Sequence, residues 1–146
     1  MLKLIEPLMT PKLLYVLQAM GHGDDIVICD RNHPATTIAN STTHGTLLTV
    51  FGATLPEFSR ALLTHFPLDT FVDSPISRME VVGNPDELVQ AHIEMQKIAN
   101  AAEGRQVSIR ALETFEFYEE ASRSFAIVQT SDEGPYGCFI LKKGVL

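Results

Sequence analysis

The sequence predicts a single α/β domain, with a mostly parallel central sheet flanked by helices. Three observations carry this reading. Stretches of helical apolar spacing alternate with short apolar runs along the chain, the pattern of sheet-and-helix layering. Two of those runs, Ile26-Val27-Ile28-Cys29 and Phe125-Ala126-Ile127-Val128, are apolar at successive positions, as a strand buried on both faces must be. No linker, repeat or low-complexity segment divides the 146 residues, so the domain is expected to span 1–146.

The elements follow in order. Thr10 can cap the free amides of a helix that Pro11 opens, and Leu13, Leu14, Val16, Leu17 and Met20 form its apolar stripe. Gly21 is placed to end it. The loop His22-Gly23-Asp24-Asp25 leads into the strand 26–29, with Asp30 at its C-terminal end. Residues 31–45 are polar and read as a long loop. A short strand is expected over 46–51. Thr54-Leu55-Pro56-Glu57 fits a capping box that starts a helix to about 65. A loop over 66–75 carries Asp69 and Asp73. Residues 79–82 read as a strand, and Asn84-Pro85-Asp86-Glu87 as the start of a helix that Gly104 ends. A strand over 107–109, a helix over 115–122, the strand 125–128, a turn at 131–135 and a strand over 136–141 complete the chain.

Composition narrows the function. A net charge of -7 repels phosphate backbones and anionic membrane surfaces, so neither nucleic acid nor membrane is an expected partner. No stretch approaches a membrane span, and the N-terminus lacks a secretory apolar run, which makes the cytoplasm the expected location. Mean hydropathy of +0.10 hints that another copy covers some apolar surface. Cys29 and Cys138 lie in strand-like runs and read as reduced, buried thiols without metal-ligand spacing. Lys142-Lys143 reads as a solvated terminus.

Several residues could carry chemistry. His22 can give and take a proton near neutral pH, and its glycine neighbours permit close ligand approach. Spacing alone nevertheless favours a histidine that caps the preceding helix. Asp30 sits where ligands of open α/β sheets gather, and meets His22 only if the intervening loop folds back. His33 and His44 with Asp30 match no metal-ligand pattern and read as exposed; His65 and His92 read as structural. Tyr136, beside the Gly134-Pro135 turn, could turn a hydroxyl toward a ligand. No G-x-S-x-G, Walker loop or G-x-G-x-x-G occurs.

Along nearly its whole length the chain resembles the L-fucose mutarotase / D-ribose pyranase (RbsD/FucU) family. The resemblance rests on Met20-Gly21-His22-Gly23-Asp24-Asp25-Ile26-Val27, on Asp30 and Pro34, and on Leu68-Asp69-Thr70-Phe71-Val72-Asp73-Ser74-Pro75. It continues in Phe115-Glu116-Phe117-Tyr118-Glu119, and in Tyr136-Gly137 followed by Leu141-Lys142-Lys143-Gly144-Val145. Phe-Tyr-Glu and Leu-Lys-Lys-Gly favour the fucose branch. The resemblance implies an isomerase that interconverts the anomers of a monosaccharide, with L-fucose as the preferred substrate and no metal or organic cofactor. It implies homo-oligomers, with rings of ten subunits among the candidates, and sites near subunit contacts. It makes His22 the proton donor, with Asp30 as its partner or as a sugar binder. It adds Asp69, Tyr118, Tyr136 and Gly137 to the sugar-binding set.

Two positions depart from the family. Thr114 stands where the fucose branch usually has Arg, and Cys138 where the family usually has Asn; both belong to the expected binding set. Thr supplies no cation and Cys lacks the two-way hydrogen bonding of an amide. Arg110 is the nearby candidate to replace the missing cation. Two other readings stay open: a sugar-binding or regulatory module without activity, motivated by Thr114 and Cys138, and a metal-dependent enzyme using His22, His33 and acids.

Overall fold

The computed structural model describes residues 2–146. Its helices are α1 (Pro11–Ala19), α2 (Ala35–Ala39), α3 (Leu55–Leu63), α4 (Gln90–Glu103) and α5 (Thr114–Ser122). Its strands are β1 (Asp25–Cys29), β2 (Leu48–Val50), β3 (Ile76–Met79), β4 (Ile109–Leu112), β5 (Ala126–Thr130) and β6 (Cys138–Lys142). They form one sheet in the order β2-β5-β1-β6-β3-β4. The pairs β2–β5, β5–β1 and β3–β4 are parallel, and β6 runs antiparallel between β1 and β3. The expected α/β class with a mostly parallel sheet is therefore what the chain adopts.

The sheet is covered on both faces. In β1, Ile26 and Ile28 enter the larger cluster, beneath α1, α3 and α4, while Val27 and Cys29 enter the smaller one, beneath α2 and α5. Four consecutive buried residues therefore alternate between two cores, which is why the run reads as continuously apolar. Phe58, Phe66, Phe117 and Phe139 are fully buried, each worth roughly 1.5–3 kcal/mol of transfer free energy.

The N-terminal signals act as read. Thr10 Oγ1 accepts from Leu13 N, and Thr54 and Glu57 form the reciprocal capping box of α3. Gly104 ends α4 with φ 64°. Four expectations are corrected. α1 stops at Ala19 with Met20 extended, and Gly21 does not take the left-handed conformation. The loop expected over 31–45 contains α2, whose Ala35, Ile38 and Ala39 find buried places although the segment is polar overall. β3 lies three residues earlier than expected, because Ser77 and Arg78 mask it; both are buried. The segment 84–87 forms turns, with Val81 and Asn84 bridged, and α4 begins only at Gln90. There Val89 has no capping side chain, so His92 Nδ1 accepts the Val89 N–H at 3.4 Å.

Candidate active site

The candidate groups gather at the two ends of β1. At the N-terminal end, Gly21 N donates to Asp24 Oδ2 at 2.7 Å, which tightens the loop, and Gly23 takes φ 84°. Such an angle suits glycine. His22 is carried outward between them, with its side chain 42% exposed. Its Nε2 lies 3.1 Å from Asp69 Oδ1, and the ring meets Phe71 edge-on at 5.2 Å.

Asp69 comes from the loop between α3 and β3. Its side chain is covered, 3% exposed. Oδ1 also accepts from Phe71 N at 3.0 Å. That backbone bond, first, and the hydrogen bond and charge of His22, hold its carboxyl below the usual range against a counteracting desolvation. An ionised carboxylate on one imidazole nitrogen orients the ring and leaves Nδ1 free for a ligand. An imidazole held this way is able to give and take a proton.

The other end of β1 holds Asp30, which is 2% exposed. Oδ1 accepts from Asn32 N at 2.8 Å, and Oδ2 from Gly137 N at 2.9 Å, with the Cys138 thiol 3.6 Å away. Cys138 Sγ also lies 3.3 Å from His33 Nδ1. A Cβ on Gly137 would meet Asp30 and Leu55 side-chain atoms at 3.4 Å, at the edge of ordinary van der Waals contact. His33 is buried, not exposed as expected, because its ring packs edge-on against Phe117 and Tyr118. Burial lowers its pKa to about 4 and keeps it neutral. Burial, then the charges of Cys138 and Asp30, push the Tyr118 hydroxyl upward.

The remaining expected residues divide between neighbouring places. Thr114 opens α5 with its Oγ1 buried and without a hydrogen-bond partner. Tyr136 takes φ 58°; its hydroxyl accepts from Val82 N and its carbonyl pairs with His92 Nε2. Arg110 is engaged by Ser77 Oγ at 2.8 Å and Glu120 Oε2 at 2.6 Å. His92 is structural, as expected: with Nδ1 accepting, Nε2 donates to the Tyr136 carbonyl, and burial lowers its pKa to about 4.

His22 and Asp30 do not meet within one chain. The five residues of β1, at about 3.3 Å each, separate the two ends by roughly 16 Å. Asp69, expected only as a sugar binder, is the partner of His22. Sequence reasoning also missed Phe71 as a wall of the histidine and His33 as a buried neighbour of Cys138. Both cysteines are buried and free, as expected, with their thiols pushed upward by desolvation. Among the described residues, no group of three or more His, Cys, Asp or Glu side chains is arranged to hold a metal ion.

Residues 3–146 match the RbsD / FucU transport protein family. The chain belongs to the RbsD/FucU family. It is 40% identical to the human fucose mutarotase, over 99% of this chain and 94% of the relative. The crystal structure of protein Atu2016 superimposes with a TM-score of 0.97 at 40% identity, covering 100% of this chain and 97% of that one. The fucose mutarotase of Streptococcus pneumoniae, solved in complex with L-fucose, gives 0.88 at 35% identity, with 99% of both chains covered. In this RbsD/FucU chain no described helix is long and apolar enough to cross a membrane.

Proposed function

We propose that the chain interconverts the anomers of a monosaccharide, L-fucose before others, with His22 as the acid–base residue. The observation that carries this is the pair His22–Asp69: a half-exposed imidazole oriented by a covered, ionised carboxylate. The full-length likeness to fucose mutarotases supports the substrate class. In the reaction the anomeric hydroxyl loses its proton to a base, the C1–O5 bond breaks, and O5 takes a proton from an acid. The open aldehyde rotates about C1–C2 and recloses on its other face, with the protons returned. A positioned histidine is worth about 10²–10⁴-fold in such transfers.

The sugar is held, in this reading, between His22 of one copy and the group of Asp30, Tyr118, Tyr136, Gly137 and Cys138 of another. Exposed aromatics beside each half support a shared site: Phe71, 72% exposed, flanks His22, and Phe115, 76% exposed, adjoins Thr114. Large exposed aromatic residues of this kind favour a subunit contact. The protein is then a cytoplasmic homo-oligomer, a ring in the arrangement its family resemblance implies. Asp30 serves as a binder and organiser in place of a direct partner to His22.

Saturation-transfer NMR on L-fucose tests the assignment. His22→Ala should abolish the acceleration of anomer exchange. Exchange at the native rate in that variant would remove His22 from the reaction. A binding-only module is the second reading, favoured by the buried thiol of Cys138 where an amide is usual. Tight L-fucose binding with no acceleration by the native protein would select it.

A further inference from the structure

We propose that Lys143 is a positioning residue for the proton transfer: with Lys142 and Gly144 it holds the His22 loop and the Asp69 loop in register. The proposal rests on the reading of His22 as the group that moves protons. His22 and Asp69 lie 47 positions apart in the chain and in different loops. Their 3.1 Å approach therefore needs a third element that fixes both loops.

The end of β6 is that element. Successive residues of an extended strand turn their N–H and C=O groups to opposite edges. Lys142 faces the Asp69 loop: its N–H donates to Pro75 O at 2.9 Å and its carbonyl accepts from Asp69 N at 3.0 Å. Lys143 faces the His22 loop: its N–H donates to Asp24 O and its carbonyl accepts from Gly23 N, both at 2.8 Å. Gly144 N then returns to Pro67 O at 2.8 Å. A Cβ on Gly144 would stand 2.6 Å from Leu68 O and 2.8 Å from Asp69 Cα, so the backbone there is packed directly on the loop that carries the carboxylate.

The two lysine side chains complete the clamp. Lys142 Nζ donates to Gly23 O at 3.1 Å and pairs with Asp25 at 2.9 Å. Lys143 Nζ donates to Leu17 O at 2.7 Å and to Met20 O at 2.6 Å. Those carbonyls belong to the end of α1, which has no basic residue in its last turn and no left-handed glycine after it. A cation there satisfies orphan carbonyls and the negative end of the helix together. Met20 is two residues from His22, so the ammonium fixes the point from which the catalytic loop departs. The lysine pair is thus not the solvated terminus its sequence suggests.

A lysine that only stabilised α1 would change folding and leave the dyad's contribution intact. The test uses the full chain, L-fucose anomer exchange by saturation-transfer NMR, and the variants Lys143→Met, Lys143→Arg, Asp69→Asn and His22→Ala. Lys143→Met should lower the saturated exchange rate about tenfold, while half-saturation moves less than about threefold. Lys143→Arg, which restores a cation, should recover most of the rate. Adding Lys143→Met to Asp69→Asn should cost less than about threefold more, because both act through one contact. Additive losses, a change in half-saturation alone, or native exchange in Lys143→Met would overturn the proposal. Native exchange in His22→Ala would instead overturn the assignment of His22 on which it rests. Lys97→Met, on the exposed side of α4, should exchange at the native rate. If Lys143→Met does not fold by circular dichroism, Lys143→Gln takes its place, with the same tenfold loss expected and native exchange again overturning the proposal.

Discussion

Replacing Asp69 by Asn isolates what the carboxylate does for His22. The substitution keeps the shape, and the amide oxygen can still accept from Phe71 N, now 3.0 Å from the carboxylate. Phe71 N and His22 Nε2 meet the same oxygen, Oδ1, so the amide oxygen can accept from both, and what disappears is the charge beside the imidazole. A hydrogen bond to a charged group contributes about 1.5–3 kcal/mol, against about 0.5–1.5 kcal/mol for a neutral one. If that difference is expressed as the ring takes a proton in the transition state, the exchange rate should fall about 5- to 10-fold. The assay is L-fucose anomer exchange at saturating sugar, paired with urea unfolding to establish an intact fold. A rate within twofold of native would refute the coupling of Asp69 to catalysis. Stability gives an independent check on sign. The folded carboxyl is held low, so its stabilisation is present above the ordinary carboxylate range and fades as pH falls through the folded value. Asp69→Asn should therefore show a flatter acid limb than native.

Three further outcomes follow from packing and burial. Gly144→Ala forces a Cβ to within 2.6 Å of backbone and should cost about 1–3 kcal/mol, read as a thermal midpoint several degrees lower. Cys29 and Cys138 are buried with thiols pushed upward, so a thiol reagent such as DTNB should label neither until the protein unfolds; rapid native labelling would contradict the burial. His33 and His92 are neutral down to about pH 4 when folded but take protons near 6.5 when unfolded. The unfolded chain then binds more protons across that window, so stability is lost as pH falls from about 6.5 to about 4. The slope is at most about 1.4 kcal/mol per pH unit for each histidine, and His33→Phe should remove its share in urea titrations at about pH 7 and about pH 5.

The parts of the fold that sequence makes legible are those fixed by local chemistry. Thr10, Thr54 and Glu57 cap their helices through groups a few residues away, and β1 and β5 are apolar because both sheet faces are covered. The differences arise where distant partners decide. Arg78 is buried in β3 because Pro85 O accepts its Nη2, which no pattern within the strand announces. His33 is polar and looks exposed, yet Phe117, Tyr118 and Cys138 enclose it from α5 and β6. The end of α1 lacks a local cap because Lys143, 126 positions from Leu17, supplies one. The candidate site divides the same way. His22 and Asp30 stand out by residue type and position, whereas the pairing of His22 with Asp69 depends on two loops brought together by a third segment.

The separation of His22 from Asp30 also makes the choice between a site within one chain and a site between copies testable by mixing variants. If one chain supplied both residues, His22→Ala and Asp30→Asn proteins would each be inactive, and no mixture of them would recover. If the site lies between copies, a contact that takes His22 from the Asp30→Asn chain and Asp30 from the His22→Ala chain is intact. In a head-to-tail ring assembled at random from equal amounts, roughly one contact in four has that composition. Co-expressed variants, purified through distinct tags so that only mixed oligomers remain, should therefore regain about a quarter of native L-fucose exchange. Mixed oligomers with no recovery would place the whole site in one chain. The roughly 16 Å length of β1 would then have to be bridged by movement of the Gly21-His22-Gly23 loop. The hydrogen bonds of Lys142 and Lys143 to that loop oppose such movement, so the proposed clamp at the end of β6 and the proposed sharing of the site between copies rest on the same geometry.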